Sequence, residues 1–136
     1  MLIWVMMFRR VLLTLPSLVI LVGIFIVSHQ PRIELPELSI WQMDKFLHII
    51  AYFVLGCTLA MAVEGNFKGM KRNAKIWMVV IVGALYAIAD EIHQSYVPGR
   101  SSDIFDIIAD FIGIGLSVLL FNKIVGLIKR LKLSKN

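Results

Sequence analysis

Charged residues are scarce in this chain of 136 residues: Asp, Glu, Lys and Arg make up 17% of it, whereas hydrophobic residues make up 59%. Soluble domains contain about 45–50% apolar and about 25% charged residues. So few charges could not cover the apolar surface of a soluble domain of this length. The composition therefore excludes an ordinary soluble domain and predicts a small helical bundle in a lipid bilayer.

Cysteine is nearly absent, and metal-binding motifs with a diagnostic spacing are missing. Cys57 is the single cysteine and lies inside an apolar run, so no disulfide forms within one chain, and we expect a packing role for it. The sequence Asp90-Glu91-x-His93-Gln94 matches none of the zinc patterns. We therefore predict no cofactor, although carboxylates together with histidine are ligands for divalent metals, and this alternative stays open.

Four apolar runs predict four membrane-spanning helices, at residues 11–28, 46–63, 76–92 and 104–121. A membrane helix needs about 20 residues, with a range of about 17–25. The third run is apolar only as far as Ala89, so it must continue through Asp90 and Glu91 to cross. No small-x-small cleavage site follows the first run, which favours a retained helix. We expect one all-α transmembrane domain over residues 1–136.

Basic residues indicate the orientation of the bundle. With the N-terminus in the cytoplasm, the cytoplasmic segments hold 11 of the 14 Lys and Arg residues, namely Arg9, Arg10, Lys68, Lys71, Arg72, Lys75, Lys123, Lys129, Arg130, Lys132 and Lys135. The positive-inside rule then predicts a multi-pass protein of the cytoplasmic membrane with both termini inside. Since the basic residues lie between and beyond the apolar runs, the net charge of +5 indicates lipid partners and not nucleic acid. The tail at residues 126–132 has a basic, roughly helical pattern that favours the inner membrane surface.

Three groups of ionisable residues lie at the predicted outer ends of the helices. Asp44, Lys45, His48 and Tyr52 open the second helix; Asp90, Glu91, His93 and Gln94 end the third, before Pro98-Gly99-Arg100; and Asp103, Asp106 and Asp110 open the fourth, above Gly113. Residues four apart share one face of a helix, as Asp90 and Gln94 do. Below the aspartates of the fourth helix, Gly113 is expected to allow a close helix approach. Tyr52 and Trp41 are expected to be interface anchors or packing residues. Because ionisable groups in a membrane cost several kcal/mol without a partner or a wet cavity, the three groups predict one shared polar pocket.

These motifs, in this order, resemble the VanZ-like family of small helical membrane proteins, over about residues 41–120. The family is named for an accessory protein of a glycopeptide-resistance cluster, and the resemblance implies a link to low-level teicoplanin resistance. It maps the family's functional positions onto Asp44, His48, Glu91, Gln94, Arg100 and Asp106. Asp110 departs from the pattern, because the family often has asparagine there.

Two functions are compatible with such a pocket. In the first, the protein binds or acts on a cell-envelope lipid or amphiphile at the outer leaflet. In its enzymatic form His48 and Glu91 are the acid–base candidates, Asp106 orients His48 or shares a metal, and Arg100 grips a phosphate or carboxylate. We assign ligand binding to Asp44, Asp90, Gln94, Arg100 and Asp110. In the second, the protein is a non-catalytic scaffold or partner subunit, and the polar residues join helices. Four short helices are also compatible with a homodimer.

Overall fold

The computed structural model consists of four α-helices: α1 (Leu2–Ser28), α2 (Glu37–Asn66), α3 (Arg72–Gln94) and α4 (Ile104–Leu133). It describes residues 1–31, 37–100 and 102–133, without the side chains of residues 2, 37–42 and 128–133, and these ranges contain no strand. Every helix holds a segment long and apolar enough to cross a membrane, at Ile3–Ser28, Met43–Asn66, Arg72–Gln94 and Ile104–Leu127. The predicted all-α bundle of four membrane helices is confirmed.

The helices are longer than the apolar runs that predicted them. α1 begins nine residues before the run at residue 11, and α2 begins at Glu37, nine residues before the run at residue 46. α3 continues through Asp90 and Glu91, as its short apolar run required. The tail at residues 126–132 continues α4 without a break. Because an unpaired backbone group is costly in lipid, the helical hydrogen bonds persist beyond the apolar run into the interface.

Helices that follow one another in the chain run in opposite directions, so the closely packed α2 and α4 are parallel. The bundle therefore has two chemically different ends. At one end Ser28 of α1 meets Asp90 of α3, and Lys45 of α2 meets Asp103 just before α4. We call this the site end. At the opposite, basic end, Lys75 Nζ donates to Glu64 Oε2 over 3.0 Å, and Arg72 Nε donates to Asn122 Oδ1 over 3.1 Å. Most of the described carboxyl groups thus lie at the site end, with Lys45 and Arg100 among them, whereas Glu64 lies at the basic end.

α2 is the central helix, since its contacts with the other three helices are the most extensive. Its side chains dominate the buried core, which consists of Tyr52, Leu55, Leu59, Ala60, Val63, Val79, Ala87 and Ile114. Many other large apolar side chains are exposed, including Trp77 and Leu85 on α3. In a membrane protein such side chains face lipid, so the small core of the bundle does not signal an incomplete fold.

The close approach of α2 and α4 depends on Gly113 of α4, which lies against the backbone of α2. A Cβ atom on Gly113 would lie 2.8 Å from the backbone nitrogen of Phe53 and 3.2 Å from the carbonyl carbon of Tyr52. Such distances are too short for any side chain, and the obstacle is backbone that cannot rotate away. Small residues allow this kind of helix contact in membranes. The structure confirms the close helix approach that the sequence suggested for Gly113.

Gly113→Ala should push α2 and α4 apart and lower the free energy of unfolding by about 1–3 kcal/mol, the usual cost of overpacking. The measurement is thermal or denaturant unfolding of the purified protein in a mild detergent. Gly115→Ala is the matched control, because no atom lies within 4 Å of a Cβ there. It should leave stability unchanged or raise it by up to about 1 kcal/mol through helix propensity. Equal stability of the two variants would contradict the glycine contact.

Candidate functional site

The connection between α3 and α4 is shaped by a tight turn. Arg100 N donates to Val97 O over 3.1 Å, and Gly99 has a φ of 76°. Proline at the second position and a positive φ at the third are typical of a type II turn, and glycine tolerates that φ without strain. The turn reverses the chain after α3 and brings Arg100 back against the end of α1.

Arg100 clamps the end of α1 to the turn. Its Nε donates to Gln30 O over 3.0 Å, its Nη2 to Val27 O over 3.2 Å, and its Nη1 to Gln94 Oε1 over 3.0 Å. The last carbonyls of a helix lack helical partners and favour a nearby cation. The guanidinium group thus gives hydrogen-bond partners to two carbonyl groups at the end of α1, and it joins α1 to α3 through Gln94.

Asp90 lies at the centre of a buried network between α1 and α3. Its Oδ2 accepts hydrogen bonds from Ser28 Oγ over 3.0 Å and from Gln94 Nε2 over 2.9 Å. Gln94 Nε2 also donates to Ser28 Oγ over 3.4 Å. Asp90 is only 4% exposed, and its Oδ1 has no hydrogen-bond partner among the described residues. The predicted sharing of one face by Asp90 and Gln94 is confirmed.

A second network joins α2, α3 and α4 through Lys45. Its Nζ donates to Asp103 Oδ2 over 2.6 Å and also to Asp106 Oδ1. Asp103 occupies the N-cap position of α4, where its Oδ1 accepts from Phe105 N over 2.9 Å. The backbone nitrogen of Asp103 in turn donates to Glu91 Oε2 over 2.8 Å. Glu91, a candidate acid–base group, is therefore held against the start of α4.

His48 is oriented by Asp110. Its Nδ1 lies 2.9 Å from Asp110 Oδ1, whereas its Nε2 lies 3.8 Å from Asp106 Oδ1. Asp110 is completely buried, and its other oxygen has no hydrogen-bond partner among the described residues. The sequence predicts that Asp106 orients His48 or shares a metal. The shorter contact with His48 is made by Asp110, one helical turn further along α4. The position that departs from the family pattern is therefore the one that holds the histidine.

A cleft between α1 and α2 opens beside these networks and has a volume of about 460 Å³. Its polar lining residues lie at the site end: Ser28, Asp44, His48, Tyr52, Asp90 and Arg100. Its apolar wall continues toward the middle of the bundle: Ile20, Gly23, Ile24, Val27, Leu47, Ile50, Ala51 and Val54. Pockets for small ligands commonly have volumes of about 300–1,000 Å³ and few polar groups. The cleft thus has a polar head and an apolar wall.

All eight residues predicted for the site lie at the site end, but they fall into different surroundings. Asp44, His48, Asp90 and Arg100 line the cleft, whereas the other four belong to the networks behind it: Glu91, Gln94, Asp106 and Asp110. Their proposed catalytic and binding roles stay predictions.

Sequence reasoning missed the contribution of α1 and the position of Tyr52. Ser28 was not singled out as a site residue. The one feature of the sequence that could have indicated it is its position as a small polar residue at the end of the first apolar run. Tyr52 was expected to be an interface anchor or packing residue, but it is 1% exposed, lines the cleft, and has an unpartnered hydroxyl among the described residues. Trp41, also expected as an anchor, has a side chain outside the described part of the chain.

Asp44, His48 and Asp106 are the described residues whose spacing suits a metal ion. One ligand atom from each lies within 4.8 Å of the others, and the donors are a nitrogen and two carboxylate oxygens. This donor set fits a divalent cation such as Zn²⁺ or Mn²⁺. However, the Lys45 ammonium group already contacts Asp106 Oδ1. A metal there would lie beside a positive charge. No cofactor stays the prediction, and a divalent metal stays the open alternative.

Comparison with known proteins gives the family of the chain. Residues 2–128 match the VanZ/LLP1 family, so the match includes α1 as well as the three helices that carry the motifs. The chain belongs to the VanZ/LLP1 family. An uncharacterised protein of Schizosaccharomyces pombe is similar, with 28% identity over 85 residues, which is 62% of this chain and 50% of that protein. The chain thus spans about half the length of this curated relative. No solved structure matches.

Arg100→Lys should loosen the end of α1 while keeping the charge. The three acceptors face three different nitrogen atoms of the planar guanidinium group, and the single ammonium nitrogen of lysine cannot reach all of them. We expect faster hydrogen exchange of the amides of residues 26–30 in this VanZ/LLP1 protein, measured by mass spectrometry in detergent or nanodiscs. Arg72→Lys is the matched control, because it removes a guanidinium group that donates two hydrogen bonds to Asn122 at the basic end. If residues 26–30 exchange at the wild-type rate in Arg100→Lys, the clamp does not hold α1.

Proposed function

We propose that this VanZ-like membrane protein binds, or acts on, a lipid or amphiphile of the cell envelope in the cleft between α1 and α2, with the headgroup at the site end. This activity would lower susceptibility to the lipoglycopeptide teicoplanin. The division of the cleft into a polar head and an apolar wall carries the proposal. An amphiphile has the same division, because its headgroup needs hydrogen-bond partners and its chain does not.

The apolar wall is accessible to a hydrocarbon chain from the side. Leu47, Ile50 and Val54 line the cleft, yet they are 56%, 42% and 37% exposed. In a bilayer these side chains face lipid, so an acyl chain can enter the cleft sideways without crossing water. From Leu47 to Val54 the helix rises about 10 Å at about 1.5 Å per residue, which accommodates a substantial part of an acyl chain.

The outward orientation of the site end is part of the proposal. The end of the bundle opposite the carboxylates holds Arg9, Arg10, Lys68 and Arg72, which line two cavities there. Lys and Arg in short segments favour the cytoplasmic side. With the basic end inside, the head of the cleft lies at the outer leaflet, where envelope lipids and lipoglycopeptides meet the membrane.

Gly23→Leu tests the cleft itself. Gly23 lines the cleft and no atom lies within 4 Å of a Cβ at this position, so leucine should fill the cleft without displacing a helix. In a sensitised Gram-positive host, wild type should raise the inhibitory concentration of teicoplanin, and Gly23→Leu should abolish at least half of that increase. Immunoblots of membrane fractions must show equal protein levels.

Gly115→Leu is the control for this experiment, because it adds the same side chain into open space on α4, outside the cleft lining. It should protect as well as wild type. Equal protection by Gly23→Leu would exclude the cleft from the function. If wild type gives no protection at matched levels, the link to teicoplanin is wrong for this chain.

The second candidate is a non-catalytic scaffold or partner subunit of an envelope complex. Several of the site residues already have partners within the protein: Lys45 with Asp103 and Asp106, and His48 with Asp110. Such contacts join α2 to α4 without requiring any ligand. This observation favours a structural role for the networks behind the cleft.

Glu91→Gln separates catalysis from scaffolding. A glutamine oxygen can still accept the hydrogen bond from Asp103 N, so the start of α4 should remain in place. If Glu91 transfers a proton, protection against teicoplanin should fall to the level of cells without the protein. A scaffold should tolerate this near-isosteric change and protect fully. The unfolding temperature of the purified variant, measured in parallel, shows whether a loss of protection arises from misfolding.

A further inference from the structure

We propose that the cleft selects amphiphiles whose headgroup carries a positive charge, with an ammonium group bound at Asp90, in the head of the cleft that Asp44 also lines. This inference rests on the proposed function, since it names the headgroup that the cleft would take. It begins from the charges at the head of the cleft, where two carboxyl side chains and one guanidinium group are found: Asp44, Asp90 and Arg100.

Arg100 offers little to an anionic headgroup, because three of its nitrogen atoms donate to Gln30 O, Val27 O and Gln94 Oε1. These bonds use three of its five N–H donors, so only two remain for an anionic headgroup, one on each Nη atom. Most of the guanidinium group that the sequence suggested for gripping a phosphate is therefore used for structure.

The other cations at the site end are engaged as well. Lys45 Nζ donates to Asp103 and Asp106, and His48 Nδ1 pairs with Asp110. Behind the head of the cleft, the described carboxyl groups thus outnumber the lysine and arginine side chains. In a poorly solvated site, like charges repel and an opposite charge is attracted much more strongly than in water. The electrostatic potential at the head favours a cation over a phosphate or a carboxylate.

Unpartnered acceptors indicate where the cation would bind. Asp90 and Tyr52 are 4% and 1% exposed and both line the cleft. Asp90 Oδ1 and the Tyr52 hydroxyl have no hydrogen-bond partner among the described residues. A buried carboxylate oxygen without a donor is costly. An ammonium group supplies up to three N–H donors and a compensating charge, so it satisfies Asp90 in a way that an anionic headgroup cannot.

A divalent metal that bridges an anionic headgroup is the competing occupant. Asp44, His48 and Asp106 have the donors for it. The Lys45 ammonium group contacts Asp106 Oδ1 and lies 4.0 Å from Asp44 Oδ2, so it opposes a metal held by these two carboxylates. Among the described residues, the partners of the Asp90 carboxylate are the uncharged Ser28 and Gln94, so a headgroup ammonium at Asp90 avoids Lys45. The observations therefore favour a cationic headgroup, and the metal becomes an outcome of the test.

The test compares amphiphiles that share a twelve-carbon chain and differ in the headgroup. Radiolabelled dodecylamine, dodecyl phosphate and dodecanol are titrated into nanodiscs of phosphatidylcholine that contain the full chain, and retention by empty nanodiscs is subtracted. We expect saturable binding, with dodecylamine bound at least about tenfold more tightly than dodecyl phosphate. Asp90→Asn should reduce this preference severalfold, because the amide keeps the size but loses the charge.

Two further variants make the experiment interpretable. Asp44→Asn removes a carboxylate from the same head at a less buried position, so it tests the inference even if Asp90→Asn does not fold. Glu64→Gln removes a carboxylate at the basic end, outside the cleft, and should leave the preference unchanged. Loss of the preference in Glu64→Gln would mean that total charge, and not the head of the cleft, attracts the amine.

The remaining outcomes separate this inference from the proposed function. Saturable binding of all three amphiphiles with equal affinity would overturn the inference and leave the cleft as a lipid site. Tight binding of dodecyl phosphate that requires Zn²⁺ or Mn²⁺ and disappears with EDTA would replace the ammonium by a bridging metal. Absence of saturable binding for every amphiphile would overturn both the inference and the proposed amphiphile cleft.

Discussion

The requirement that ionisable side chains near a membrane have partners governs this structure. Each charged group at the ends of the spanning helices costs several kcal/mol unless another group or water compensates for it. Lys45 satisfies this requirement between α2 and α4, and Arg100 satisfies it between the turn and α1. These contacts bring the polar ends of all four helices to one place. The cleft lies beside them, where Arg100 holds the end of α1.

The structure separates two kinds of polar residue that look alike in the sequence. Asp103 and Glu91 connect the turn to the start of α4 through backbone hydrogen bonds, which is a structural task. Asp90 and Glu91 each have one carboxylate oxygen without a partner among the described residues, but Asp90 lines the cleft and Glu91 does not. The other oxygen of Asp90 accepts from Ser28 and Gln94. Burial of a half-satisfied carboxyl group beside a cleft is what distinguishes a candidate binding residue from a helix connector.

Spacing along the helices predicted much of this arrangement. The i, i+4 relation of Asp90 and Gln94 indicated a shared face, and the structure has them in direct contact. The Pro98-Gly99 turn and the close approach at Gly113 were also predictable, because each depends on a local property of one residue type. The partner of His48 was not predictable. Asp106 and Asp110 lie on the same face of α4, and only the relative height of α2 and α4 decides which of them meets His48 Nδ1.

The sequence by itself determined the class of the fold, the number of spanning helices and the residues gathered at the site end. These follow from local properties: apolar length against bilayer thickness, and the cost of charge in lipid. Tertiary structure alone decided that α1 and α2 leave a cleft, that Tyr52 lines it, and that Arg100 holds α1. These features depend on how far one helix is shifted and rotated against another. Side-chain packing sets that geometry, and the order of residues along a single helix does not contain it.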